Sequence, residues 1–129
     1  GPARRLCALP ALWVGLLYDQ TALDAAWDLC RDWTAADHDQ LRADVPRLAL
    51  ATPFRGETVR ELAGRVLAIA EDGLKRRARW SGGGEDESVH LQPLMTIAES
   101  GRTAADDLLE SFHKRWNGSV DPAYVEEAY

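Results

Sequence analysis

TVRELAGRVLAIAEDGLK, residues 58–75, decides the fold class. Thr58 and Glu61 form a capping box, in which hydroxyl and carboxylate satisfy two backbone donors left open at a helix start. Val59, Leu62, Ala63, Val66, Ala70 and Leu74 then recur at three- and four-residue steps, while Arg60, Glu61, Arg65, Glu71, Asp72 and Lys75 lie off that stripe. A long amphipathic helix is predicted. Strand-type alternation of apolar and polar residues is almost absent from the chain, so the expected class is all-α.

Working outward, Thr21 with Asp24 and the spacing of Leu23, Ala26, Trp27, Cys30 and Trp33 predict a helix over about 22–33. Thr34 with Asp37 starts a second one, expected to stop at Val45 because Pro46 follows. Residues 46–57 carry two prolines and a glycine without useful periodicity and read as an ordered loop. Beyond the long helix, the stretch Ser81 to Ser88 is glycine-rich and acidic, and is expected to be the most mobile internal loop. A short apolar helix is predicted over Leu91–Ala98, with Gly101 as the break. Thr103 with Asp106 then caps a helix whose stripe is Ala105, Leu108, Leu109, Phe112 and Trp116. Asn117-Gly118 ends it, and Asp121-Pro122 opens a last short helix presenting Tyr124 and Val125.

With 129 residues the chain suits one domain, 1–129, around one core. Its formal net charge of -6 argues against nucleic acid or an anionic membrane surface as partner. The longest nearly uncharged run, Leu6 to Tyr18, includes Pro10 and falls well short of the ~20 apolar residues that span a bilayer. Arg4 and Arg5 before it imitate a secretory signal, but no small-residue cleavage site follows. The opening Gly1-Pro2, without an initiator Met and directly before an apolar stretch, reads as a cut end or junction. Two cysteines, Cys7 and Cys30, lack C-x-x-C spacing, and a reducing cytoplasmic setting is expected.

No chemistry emerges from residue spacing. His38, His90 and His113 are far apart, without metal-ligand spacing. Gly82-Gly83-Gly84 is followed by Glu85-Asp86-Glu87, which would repel the phosphate that a glycine cradle holds. Lys75, Arg76, Arg77 and Arg79 sit where a helix C-terminus favours cations. Trp27, Trp33 and Trp116 are expected in the core, with Cys30 a small buried hydrophobe beside them; Trp13 and Trp80 stay unassigned. Paired carboxylates and a nucleophile with its base are missing at useful spacings.

Four segments form a recognisable series: GPARRLCALPALWVGLLYD (1–19), TPFRG (52–56), EDGLKRR (71–77) and SVDPAYVEEAY (119–129). In that order they resemble the C-terminal quarter to third of glutamate–cysteine ligases of the plant and proteobacterial group, along all of residues 1–129. The chain departs from plant members at Ala3, where they tend to carry Trp, and in a longer insert at 81–88.

The resemblance implies a parent enzyme that uses ATP and Mg²⁺ to join L-glutamate and L-cysteine into γ-glutamylcysteine, the first step of glutathione synthesis. It implies an α+β parent whose catalytic antiparallel sheet lies upstream, so this chain holds no catalytic residue and no metal ligand and is inactive alone. Its partner is then the missing N-terminal catalytic part, and a homodimer is compatible with the family. Arg4 and Arg5 are the candidates for substrate or nucleotide anion contacts, or equally for pairing with carboxylates of the missing part. Cys7 matches a position where the family carries a cysteine able to bridge upstream, a redox candidate. The rival expectation is a stand-alone helical module that binds a partner through the apolar segment 6–18.

Overall fold

Thr58 and Glu61 close the start of the longest helix as the spacing predicts: the Thr58 N–H donates to Glu61 Oε2 at 2.7 Å, and the Glu61 N–H to the Thr58 hydroxyl at 3.3 Å. Thr58→Ala is therefore expected to lower stability by about 1 kcal/mol, read as an earlier denaturation midpoint at unchanged slope. The structure, a computed structural model, describes residues 6–77 and 86–126. Among them are seven α-helices: α1 (Ala8–Leu17), α2 (Gln20–Cys30), α3 (Ala35–Leu48), α4 (Val59–Arg77), α5 (Gln92–Ser100), α6 (Ala104–Glu110) and α7 (Asp121–Glu126). The one sheet among the described residues is a hairpin of β1 (Pro53–Phe54) and β2 (Glu57–Thr58), antiparallel with Pro53 opposite Thr58.

The core forms where α1 crosses α4. Ala11, Leu16, Ala70, Leu74 and Leu91 are buried there, and Leu12, Val66 and Met95 pack against them. Two glycines set the approach. A Cβ added to Gly15 would land 2.9 Å from the Ala70 Cα and on its carbonyl, and one added to Gly73 would strike the Gly15 carbonyl. Arg76, at the far end of α4, donates to Asp19 Oδ1 at 2.9 Å, and the same oxygen accepts from the Ala22 N–H at 2.9 Å. One carboxylate thus caps α2 and ties it to α4.

Several expectations are corrected. Helix α2 starts at Gln20 under Asp19, not at 22 under Thr21, and its Leu23 and Trp27 face outward, Trp27 being 63% exposed. Its buried residue is Ala22, because only a small side chain fits against Gly73. Helix α3 continues through Pro46 to Leu48: the proline removes one N–H in the last turn, and the next cap forms regardless, the Ala49 N–H bonding to Val45. The loop at 46–57 contains that last turn and the hairpin. Arg55 (φ 49°) and Gly56 (φ 86°) both take left-handed backbone, the two-residue turn that suits strand twist. Arg55 is held there by the Asp32 carbonyl at 3.0 Å.

Helix α5 runs to Ser100, preceded by a tight turn over Glu87–Leu91 and ended by left-handed Gly101. The stripe expected on α6 does not pack: Leu108 and Leu109 are exposed. After Glu110 the chain widens into a π turn, Ser111–Arg115, with the Trp116 N–H reaching Ser111. The extra residue in that turn breaks the 3.6 period. Trp116 is buried as expected, at 7% exposure, but beside α7, where its indole N–H donates to Glu126 at 3.2 Å. Of the expected mobile loop, 81–85 lies outside the described residues; Asp86 caps the turn that follows, accepting from the Ser88 N–H at 2.8 Å.

Candidate functional site

The start of α1, the end of α4 and the Glu87–Leu91 turn enclose a groove of about 290 Å³, lined by Leu6, Cys7, Pro10, Val14, Leu74, Glu87 and His90 among others. Cys7 is exposed and free at its rim. Glu87 Oε2 is buried and stands 3.8 Å from Arg77 Nε, beyond hydrogen-bond reach. Cys30, also free, is half-buried rather than fully enclosed, its thiol donating to the Ala26 carbonyl at 3.4 Å. Arg4 and Arg5 lie outside the described residues, as do Arg79 and Trp80.

A second, open cleft of about 660 Å³ lies between α4 and α5, along Leu50, Thr58, Arg60, Glu61, Gly64 and Ala98 to Gly101. Its charges are engaged. Arg60 donates to the Ala98 carbonyl at 2.7 Å and to Glu99, closing the C-terminus of α5, and Glu61 is held by the Thr58 cap. The basic run ending α4 is likewise paired: Lys75 with Glu71 at 2.6 Å, Arg76 with Asp19 at 2.8 Å, and Arg77 over the Tyr18 ring at 5.3 Å. Cation positions that sequence spacing assigns to a helix end are therefore spent on structure. Among the described residues no three of His, Cys, Asp and Glu converge as a metal set. His38 stands against Trp33 and His113 against Phe112, both edge-on.

The carboxylates carry a pH signature. The Lys114 and Arg102 side chains hold Glu110 down to about 2. The Thr103 backbone and hydroxyl lower Asp106, and the Thr58 backbone and hydroxyl lower Glu61. All three lie below their unfolded values, so what they contribute is present above about pH 4.5 and is lost as pH falls through the folded values. Helicity of α6 is expected to decline between about pH 4 and pH 2, and Glu110→Gln to flatten that decline, as circular dichroism would register.

The largest feature that periodicity passed over is what α1 shows to solvent. Its ten residues, ALPALWVGLL, carry no charge. One face is spent on α4, yet Leu9, Trp13 and Leu17 are half-exposed, continued by Leu6 before the helix and Tyr18 after it. No helix among the described residues is long and apolar enough to cross a membrane.

Comparison with known proteins adds what geometry lacks. Over all 129 residues the chain is 46% identical to the chloroplastic glutamate–cysteine ligase of Arabidopsis thaliana and 45% identical to that of Brassica juncea, covering 24% of each. It is 43% identical to the chloroplastic glutamate–cysteine ligase A of Oryza sativa subsp. indica, covering 25% of it. The chain thus spans about a quarter of the length of these relatives. Their names also overturn the cytoplasmic expectation, since all three are chloroplastic proteins. Sparse cysteines report on redox conditions, not on which membrane encloses a protein. With the model of Glutamate-cysteine ligase family 2 (GCS2) matching residues 1–126, the chain belongs to that family.

Proposed function

We propose that the polypeptide carrying this chain is an ATP-dependent glutamate–cysteine ligase and that the chain is its helical C-terminal portion. The γ-carboxylate of L-glutamate is phosphorylated, and the amine of L-cysteine displaces phosphate to give γ-glutamylcysteine, which opens glutathione synthesis. The observation that supports this most is identity of 43–46% along the whole of this chain with ligases of which it covers 24%.

The described residues do not fit a Mg²⁺–nucleotide site: no acidic set converges, and Arg60, Arg76 and Arg102 already hold structural partners. On this reading turnover belongs to the longer polypeptide, and the 129 residues alone are inactive. Arg4 and Arg5 serve there as anion contacts or as partners of carboxylates in the remaining part. Cys7, which is exposed, is the residue we assign to a redox bridge with that part.

The test is an assay of two proteins with ATP, Mg²⁺, L-glutamate and L-cysteine. Steady γ-glutamylcysteine from the full-length polypeptide and none from the 129-residue chain is the expected result. Turnover by the short chain alone, free of contaminating ligase, would overturn the assignment of chemistry to the rest.

A further inference from the structure

We propose that the outer face of α1, formed by Leu9, Trp13 and Leu17 and continued by Leu6 just before the helix, is the docking face for the remaining three-quarters of the ligase polypeptide, so that α1 is an interior helix of the whole protein. This rests on the reading that the chain is part of a longer ligase.

A helix apolar on all sides is stable in water only inside a larger core or a membrane. No described helix is long and apolar enough to cross a membrane. The inner face of α1 is already fitted to α4 by the Gly15–Gly73 contact, so the outer stripe has to find its cover elsewhere. The relatives supply about three times as much additional chain as this one contains, since 129 residues cover 24% of them.

Area and charge favour that cover over a second copy. Four side chains, each about half exposed, offer on the order of 400 Å², roughly half of what each partner of a stable dimer buries. Two copies at a net charge of -6 also repel each other. A covalently linked partner escapes the loss of translational freedom that a free one suffers, so the smaller area suffices.

Hydroxyl-radical footprinting with peptide mapping reads the face directly, in the 129-residue chain and in the full-length polypeptide. Trp13 is expected to oxidise several-fold more slowly in the full-length protein. Equal rates would overturn the proposal. So would protection in the short chain that grows with its concentration, which marks a second copy, or protection gained on adding anionic or neutral phospholipid vesicles, which marks a lipid surface. Trp13→Gln gives a second readout: melting of the short chain should hardly move, while that of the full-length protein falls by several degrees. A full-length protein that melts as before with this substitution, or equal falls in both, would place Trp13 outside any such contact. Ligase assay of the same full-length sample separates the two readings. Turnover with Trp13 exposed removes the docking face alone, and Trp13 protected without turnover removes the ligase reading alone.

Discussion

Gly73→Ala is expected to destabilise the chain by about 2 kcal/mol and to lower its melting temperature by roughly 8 °C. The sign is the informative part. Glycine inside a helix is about 0.8–1.0 kcal/mol worse than alanine, so propensity alone forecasts the opposite. A single methyl at Gly73, however, meets the Gly15 carbonyl and comes within 3.0 Å of the Ala22 Cβ. Backbone cannot rotate aside as a side chain can, so α1 has to be pushed off α4, disturbing the burial of Leu16, Ala70 and Leu74. Gly15→Ala should behave the same way through Ala70. Gly64 supplies the control: it lies on the same helix, exposed, with nothing within 4 Å of an added Cβ. Gly64→Ala should stabilise by about 0.5–1 kcal/mol. Equilibrium denaturation of the three variants checks the pattern, and a stabilising Gly73→Ala would mean that the two helices do not approach this closely.

Phe54→Ala is expected to cost about 3–5 kcal/mol, and to act unevenly. Phe54 is 2% exposed and meets Trp33 edge-to-face, centroids 5.0 Å apart at 76°. Helix α3 buries no residue of its own, so its attachment depends on what surrounds its ends. The hairpin bearing Phe54, the Gln40 amide donating to the Pro53 carbonyl at 3.0 Å and the Arg55 bridge to Asp32 and Asp37 make up that attachment. Amide exchange in Ala35–Leu48 should therefore accelerate well before that in Val59–Arg77. Phe54→Leu, which keeps most of the volume, should restore the greater part. Uniform acceleration across both helices would show that α3 is held by something other than Phe54.

The contrast between caps and faces explains what could be read from residues alone. The capping boxes at Thr34/Asp37, Thr58/Glu61 and Thr103/Asp106 form, each being a contact within four residues, whereas the one expected at Thr21/Asp24 is displaced by the Asp19 cap, which is also tied to Arg76 on α4. Which way α2 faces was illegible for the opposite reason. Ala22 and Leu23 are neighbours on adjoining stripes, and only the glycine on α4, 51 positions beyond Ala22, decides that the smaller one turns in. The hairpin escaped because its strands are two residues each and arginine occupies a left-handed position at Arg55. The α6 stripe is not continuous with Trp116 because a π turn over Ser111–Arg115 shifts the register between them, and that turn leaves no mark in composition.

The functional side divides along the same line. The motif series at 1–19, 52–56, 71–77 and 119–129 led to the ligase family, which the match over residues 1–126 shows. Residue chemistry alone led nowhere, because the charges that stand out in the sequence are consumed by helix ends, as Arg60 and Arg76 are. The outer face of α1 was visible only as an uncharged run, since periodicity cannot find a stripe on a helix that is apolar on every side.

The paired glycines also act as a keyway. Because α1 can seat on α4 only with its notch over Ala70, adding or removing one residue inside the helix would turn everything beyond that point by about 100° and bring Val14 or Leu16 against a carbonyl instead. The same turn would swing Trp13 relative to the notch. What α1 conceals and what it displays are thus indexed by one contact, and its length should tolerate change far less than the segments that join the helices.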